Sequence, residues 1–122
     1  MDLSLSTTDT AFRDEVRRFL DEKLTADLRA TGELMTSVYA DYDTTMKWHK
    51  ALFERGWVAP AWPKEYGGCD WSVAQHYIFS SELSSAGAPS LSPMGLGMCG
   101  PVLIGYGTPE QKAHYLPRML DG

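Results

Sequence analysis

The strongest constraint on the fold is the helix start encoded by Thr108, Pro109 and Gln111. A threonine at the N-cap, a proline at the first helical position and a glutamine at the third form a capping box, which pairs N–H groups that a helix start leaves free. Ser72 and Gln75 have the spacing of a second capping box. Alternating β-branched runs, which would indicate strands, do not occur, so the sequence predicts an all-α fold with minimal sheet content.

Apolar residues recur with helical spacing along most of the chain, which predicts an up-down helical bundle or array of about five to six helices. The predicted segments are a helix from about Asp9 to Lys23 or Leu24, a helix from Asp43 or Thr44 to Arg55, an aromatic loop over 57–71, a helix from Val73 to Ala86, a glycine-rich apolar segment over 93–106 and a helix that begins at Thr108. The size of 122 residues suits a single domain over 1–122.

Individual residues predict where these segments end and where a linker joins them. Gly56 is expected as the glycine that ends the second helix in the left-handed conformation. The stretch from Thr25 to Tyr42 holds no clean period and is expected to be a linker with at most a helical turn. Pro117 is expected to end or kink the last helix, because proline cannot donate a backbone hydrogen bond.

The same spacing predicts which side chains face the core. In the second helix we expect Phe53 to point inward together with Trp48 and Leu52. In the helix over 73–86 the inward residues are expected to be Val73, Tyr77 and Leu83, with Phe79 or Ser80.

Composition narrows the possible partners. The net charge of −5 and the pI near 5.0 disfavour nucleic acid and anionic membrane surfaces as partners. Without a run of about 20 apolar residues or a secretory signal, no membrane span is expected and the cytoplasm is the expected location. The spacing of Cys69 and Cys99 matches no disulfide framework, and with the three histidines it gives no metal pattern.

Catalytic motifs do not emerge from the residues. Gly95, Gly97 and Gly100 match G-x-G-x-x-G, but Pro101 follows at once and no βαβ unit is present, so a dinucleotide site is rejected. The carboxylates of Glu65 and Glu82 are interpreted as solvated charges or local caps. We therefore assign no catalytic, cofactor-binding or metal-binding residue.

The apolar segment over 93–106 has two interpretations. Met94, Leu96, Met98 and Cys99 are soft, small or flexible groups that alternate with glycines. They could simply pack against neighbouring helices. They could also form a wall around an aliphatic chain, because glycine leaves space and methionine adapts its shape.

Two sequence blocks carry a resemblance to a known family. The first, residues 62–68, reads Trp-Pro-Lys-Glu-Tyr-Gly-Gly and follows Gly56 and Trp57; the second, residues 107–112, reads Gly-Thr-Pro-Glu-Gln-Lys. Further matches are Arg18-Phe19-Leu20, Glu82-Leu83 and Tyr115-Leu116-Pro117. In this order and spacing the chain resembles the N-terminal helical domain of acyl-CoA dehydrogenases over nearly its whole length.

The resemblance implies a chemistry for a larger flavoenzyme. Family members oxidise an acyl-CoA thioester to its trans-2-enoyl form: a glutamate removes the α-proton, FAD accepts the β-hydride, and an electron-transfer flavoprotein takes the electrons. They contain an N-terminal helical domain, a β-domain and a C-terminal helical domain, and form dimers or tetramers. The last two domains, the catalytic glutamate and the principal FAD contacts have no counterpart in 1–122, so this chain alone is expected to hold no flavin and to be inactive.

In the family the segment that matches 93–104 lies near the acyl tail, so the resemblance makes Met94, Leu96, Met98 and Cys99 candidates for the substrate pocket. It also predicts exposed apolar surface where other domains dock. The alternative is a free-standing helical interaction module without catalysis, which predicts polar residues over that face.

Overall fold

The computed structural model describes residues 4–36 and 41–122, which contain six α-helices and no strand. The helices are α1 (Thr7–Lys23), α2 (Ala26–Leu34), α3 (Tyr42–Arg55), α4 (Val73–Ser85), α5 (Gly100–Tyr106) and α6 (Pro109–Asp121), with a 3₁₀ turn at Lys64–Tyr66 and a π-helical segment at Met94–Cys99. The all-α prediction is confirmed. Within the described ranges no helix is long and apolar enough to cross a membrane.

The helix ends follow the local sequence signals. Both predicted capping boxes form: Ser72 accepts from the N–H of Gln75 at 3.2 Å, and Thr108 accepts from that of Gln111 at the same distance. Gly56 ends α3 with φ of 79°, as predicted from its position after Arg55. Each of these ends is fixed by residues three or four positions apart, which is why they can be read from the sequence.

The core lies between α1, α3, α4 and the loop over 57–71. Trp57 is at its centre, with ring centroids 5.1 Å from Phe19, 5.7 Å from Phe79 and 5.7 Å from Trp71. Edge-to-face aromatic pairs of this kind contribute about 0.5–1.5 kcal/mol each beyond area burial. The aromatic loop therefore packs as part of the core.

The expectation of a linker over 25–42 is wrong for its first part, because 26–34 form helix α2. Thr25 occupies the N-cap position and Leu28 is the buried residue of the helix. One buried leucine gives too little periodicity to identify a nine-residue helix from its sequence. Residues 37–40 of the predicted linker lie outside the described residues.

Three side chains expected in the core are on the surface. Phe53 is exposed, and Val73 and Tyr77 are 87% and 70% exposed. The inward face of α4 carries the buried Phe79, one of the two expected alternatives, and the buried Ile78, which was not expected there.

A carboxylate of α4 also forms an ion pair beside this face. Glu82 accepts hydrogen bonds of 2.8 and 2.9 Å from the guanidinium of Arg17, which joins α4 to α1. From periodicity alone Glu82 is expected in solvent, and the orientation expected for α4 follows from that assignment. The same bidentate pair shows that Glu82 is an ion-pair partner rather than a freely solvated charge.

Helix α6 continues through Pro117 to Asp121, so of the two expectations for this proline the helix end is wrong, whereas a kink stays a prediction. Two contacts to α3 hold the end of the helix. A ring nitrogen of the buried His49 hydrogen-bonds the Leu120 carbonyl at 2.8 Å, and Lys50 pairs with Asp121 at 2.6 Å. Pro117 is exposed, so water can reach the carbonyl that loses its donor.

Candidate functional site

The π-helical segment and α5 form one continuous helical stretch, here called the 94–106 helix. Its π-helical part is explained by backbone hydrogen bonding. The N–H of Gly100 bonds the carbonyl of Gly95, five residues back, and Pro101 has no N–H to offer. The carbonyl of Leu96 therefore has no donor within the helix. It accepts a hydrogen bond of 2.8 Å from Nε1–H of the buried Trp62.

The inner face of the 94–106 helix lies close against the domain. A Cβ added at Gly100 would overlap the indole of Trp62, so only glycine permits this approach. Gly95 faces α6, where an added Cβ would lie 3.6 Å from Cγ of Met119. The helix is thus anchored to the loop over 57–71 and to α6.

The four candidate pocket residues divide between the two sides of this helix. Met94 and Met98 are 52% and 55% exposed, and Cys99 is exposed as well. Leu96 is half-buried and packs against the core. The structure therefore brings Met94, Met98 and Cys99 to the open surface and places Leu96 behind them.

The exposed apolar surface extends beyond these candidates. Val102 is 59% exposed and Tyr106 is 91% exposed, and both continue the four-residue spacing of Met94 and Met98. The outer face, as we call it, consists of Met94, Gly97, Met98, Pro101, Val102, Gly105 and Tyr106, all of which are exposed.

Sequence reasoning missed the second half of the outer face, although a signal was present. Residues 83–109 contain no Asp, Glu, Lys or Arg. A helix that is apolar on every side is normally buried on every side. A helix with an apolar outer face and no charge therefore predicts a covering partner, whereas a freely solvated helix would carry polar groups there.

Two grooves lie elsewhere on the surface. An apolar groove of about 590 Å³ runs between α6 and the loop that holds Glu65, Tyr66 and Gly67, with Leu116 and Leu120 in its lining. A groove of about 490 Å³ between α1 and α3 has mixed charge; its lining includes Glu15, Arg18, Glu22, Lys23, Glu54 and Arg55. In the second groove opposite charges balance, as in the ion pair between Arg55 and Glu15.

The groups on the outer face are suited to binding a ligand rather than to acid–base catalysis. The face offers apolar groups and the Tyr106 hydroxyl, beside the Cys99 thiol. It therefore does not fit the pyrophosphate of FAD, which needs cations or clustered N–H donors. It fits an aliphatic or ring-containing ligand, or the apolar surface of another protein element. Among the described residues no group of His, Cys, Asp and Glu could hold a metal ion.

Comparison with protein families and curated proteins gives consistent matches. The family model described as acyl-CoA dehydrogenase, N-terminal domain, matches residues 6–122. Acyl-CoA dehydrogenase IpdE1 of Mycolicibacterium smegmatis is 36% identical over 113 residues, which cover 90% of this chain and 29% of the relative. Acyl-CoA dehydrogenase FadE26 of Mycobacterium tuberculosis is 32% identical and is matched over 100% of this chain and 30% of its own length. The chain thus spans less than a third of these relatives.

Solved structures share both the fold and the sequence. The Tcur3481-Tcur3483 steroid ACAD has a TM-score of 0.79 and 34% identity, covering 99% of this chain and 30% of that chain. The ChsE4-ChsE5 complex from Mycobacterium tuberculosis has a TM-score of 0.72 and 32% identity, covering 99% and 29%.

Proposed function

Because the chain belongs to the acyl-CoA dehydrogenase family, as its N-terminal domain, we propose that the full-length protein is an FAD-dependent enzyme that oxidises an acyl-CoA thioester to the 2-enoyl thioester. The observation that carries this proposal is the exposed, uncharged outer face of the 94–106 helix. Such a face suits an acyl group, which is itself uncharged and apolar.

The part assigned to this domain is the wall of the acyl pocket. Met94, Met98 and Cys99 face the acyl group, with Leu96 half-buried behind them. The glycines between these residues leave room for a wide ligand, and the methionines adapt to its outline. Their role is to bind the acyl chain and exclude water from it.

The family resemblance places FAD and the catalytic base in the remaining length of the protein, and the outer face, which does not fit a pyrophosphate, agrees with this. When bound, the flavin supplies the hydride acceptor. The 122-residue chain alone is accordingly expected to hold no FAD and to show no activity.

A sterol-derived acyl group is the substrate class that we favour. The name of one similar structure, the Tcur3481-Tcur3483 steroid ACAD, refers to a steroid. The outer face supports a wide ligand, because Gly97 places no side chain beside Met94 and Met98.

The proposed partners are an electron-transfer flavoprotein, which takes the electrons, and at least one further dehydrogenase subunit. The second proposal draws on the ChsE4-ChsE5 complex, which is named as an assembly of two components. A cytoplasmic location stays a prediction from the sequence.

The alternative function is a free-standing helical interaction module. That function predicts polar residues on the face where other domains of the family dock. The outer face has no charged residue, and Tyr106 and Val102 are exposed on it. This observation favours the dehydrogenase.

The test replaces Met98 in the flavin-loaded, full-length enzyme. Met98→Trp fills part of the pocket, so kcat/KM for a bulky sterol-derived acyl-CoA should fall by about tenfold or more relative to a short-chain acyl-CoA, since pocket volume discriminates on this scale. Val73→Trp is the matched control, because Val73 is exposed on α4 and its replacement adds the same indole outside the 94–106 helix.

Two outcomes contradict the proposal in different ways. A flavin-loaded Met98→Trp enzyme with unchanged selectivity removes Met98 from the pocket. A purified full-length protein that binds no flavin, or that oxidises none of a panel of acyl-CoA thioesters, contradicts the dehydrogenase assignment itself.

A further inference from the structure

Trp62 joins the proposed acyl wall to the rest of the domain. Its side chain is buried, and its Nε1–H donates a hydrogen bond of 2.8 Å to the Leu96 carbonyl. The same ring lies against Gly100, where an added Cβ would come within 2.2 Å of Cζ2 of the indole. One side chain therefore contacts the helix on either side of Met98 and Cys99.

The loop that carries Trp62 is fixed by its own backbone. The N–H of Trp62 donates to the carbonyl of Ala59 at 3.0 Å, and that of Gly68 donates to the carbonyl of Pro63 at 3.1 Å. A Cβ added at Gly68 would lie 1.5 Å from the carbonyl oxygen of Trp62, so the loop packs directly onto the backbone of this residue. The indole therefore has a fixed position from which to hold the helix.

The indole N–H matches one of two possible registers of the helix. In an α-helical register the N–H of Gly100 would donate to the Leu96 carbonyl, four residues back. In the observed π register that N–H donates to Gly95, and the next possible donor to Leu96 is Pro101, which has no N–H. A half-buried carbonyl without a donor is unfavourable, so Trp62 supplies the donor that the π register lacks.

The register of this turn decides which side chains the helix presents. A π turn holds about one residue more than an α turn, so a change of register rotates one part of the helix by about 100° relative to the other. In the observed register Met94 and Met98 are exposed, and Leu96 packs against the core. A rotation of this size would take both methionines out of line with the exposed Val102.

We infer that Trp62 is a positioning residue for the proposed acyl wall: its N–H holds residues 94–99 in the π register and thereby sets the width of the acyl group that the wall accepts. This inference rests on the proposed function. Trp62 needs no contact with the acyl group, because its ring is buried and acts through the Leu96 carbonyl. The competing account is that Trp62 only fills the core, in which case its shape matters and its N–H does not.

The experiment removes the N–H and keeps the ring. In the flavin-loaded, full-length protein Trp62 is replaced by 3-benzothienylalanine, in which a sulfur atom takes the place of the N–H in a ring of nearly the same shape. Trp48 is the matched control, because it is fully buried in the core and its Nε1–H has no hydrogen-bond partner among the described residues. Trp62→Phe and Trp48→Phe provide the same comparison by ordinary mutagenesis.

Two quantities should change at position 62. The value of kcat/KM for a bulky sterol-derived acyl-CoA should fall by about tenfold relative to a short-chain acyl-CoA, because the shape of the wall changes. Backbone amide exchange over residues 94–100, followed by mass spectrometry without substrate, should become about tenfold faster, because local opening of the turn is easier without the bond. The same replacement at position 48 should leave both quantities close to the wild-type values.

Three outcomes would overturn the positioning role. These are wild-type selectivity with the replacement at position 62, wild-type amide exchange over 94–100, or equal changes for the replacements at 62 and 48, which would show that core packing alone shapes the wall. A wild-type protein that oxidises no acyl-CoA would reject the proposed function instead. Amide exchange would then still decide whether Trp62 holds the π turn, so the two failures are distinguishable.

Discussion

Helix α1 and the 94–106 helix differ in the polarity of the side that they turn away from the core. Both place apolar side chains against the core, but α1 turns Arg17 and Arg18 outward, whereas the 94–106 helix turns out Val102 and Tyr106. The first is the ordinary amphipathic helix of a protein surface. The second has no side that is suited to water.

The difference shows that the outer side of α1 is suited to water, whereas that of the 94–106 helix is not. Helix α1 pairs with a neighbouring helix through charged groups, as Arg17 binds Glu82. The 94–106 helix is anchored through its inner face, by Trp62 and Gly100. The outer face is left exposed in this chain.

The largest effect on the free energy of unfolding is expected in the aromatic core against which α1 packs. Phe19→Ala removes a buried ring that lies 5.1 Å from Trp57 and 5.8 Å from Trp48. It should lower the free energy of unfolding of the chain by about 3–5 kcal/mol, because the cavity cannot refill. Urea denaturation followed by tryptophan fluorescence measures this, and exposed Arg18→Ala, as the control, should stay within about 0.5 kcal/mol.

The two faces of the 94–106 helix can be compared with two identical substitutions. Gly100→Ala places a methyl group against Trp62 and should cost about 1–3 kcal/mol of stability. Gly105→Ala meets nothing within 4 Å and should stabilise the 122-residue chain by about 0.5–1 kcal/mol through helix propensity.

In the full-length protein the sign at Gly105 should reverse, because the resemblance predicts that other domains dock on this apolar surface, and an added methyl group would obstruct them. A lower melting temperature for Gly105→Ala supports the covered face. A higher melting temperature in both forms would mean that the face is open in the whole protein.

A smaller effect is expected for the charged surface of α1. The ion pair of Arg17 with Glu82 has good bidentate geometry, but the arginine side chain is about half exposed, so solvent screens it. A double-mutant cycle of Arg17→Ala and Glu82→Gln should give a coupling energy of about 1 kcal/mol or less. A coupling energy several times larger would show that this surface is structural in the same sense as the aromatic core.

The smallest effect concerns the labelling rate of the Cys69 thiol. Burial raises the pKa of Cys69, partly opposed by the charge of Arg55, and its Sγ lies 3.2 Å from the Gly56 carbonyl. Only the thiolate reacts, so at pH 8 Cys69 should be labelled several-fold more slowly than a free thiol peptide. The difference should shrink as the pH rises, and equal rates at pH 8 would contradict the burial.

Sequence patterns predicted well wherever the physical cause is local. The caps at Ser72 and Thr108 and the end of α3 at Gly56 depend on contacts of a few residues. The resemblance carried by residues 62–68 and 107–112 predicted the family, which the match over 6–122 confirms.

The failures have causes that are distant in the sequence. The buried face of α4 is set by packing outside the helix, such as that of Phe79 against Trp57, so Val73 and Tyr77 could not be assigned from α4 alone. The carbonyl of Leu96, which the π-helical turn leaves without a backbone donor, accepts instead from Trp62, 34 residues away. The extent of the outer face was missed because the pocket candidates were chosen by residue type, and the absence of charge over 83–109 was not used.

The proposal that the 94–106 helix forms the acyl wall is tested most directly by a native thiol that lies beside the outer face. Cys99 is exposed in this domain and lies at the proposed acyl wall. Its alkylation rate in the flavin-loaded, full-length enzyme should fall by about tenfold or more when a non-reactive thioether analogue of a sterol-derived acyl-CoA saturates the site, because the bound acyl group covers the thiol. An unchanged rate at Cys99 with the analogue demonstrably bound would contradict the assignment of the 94–106 helix as the acyl wall.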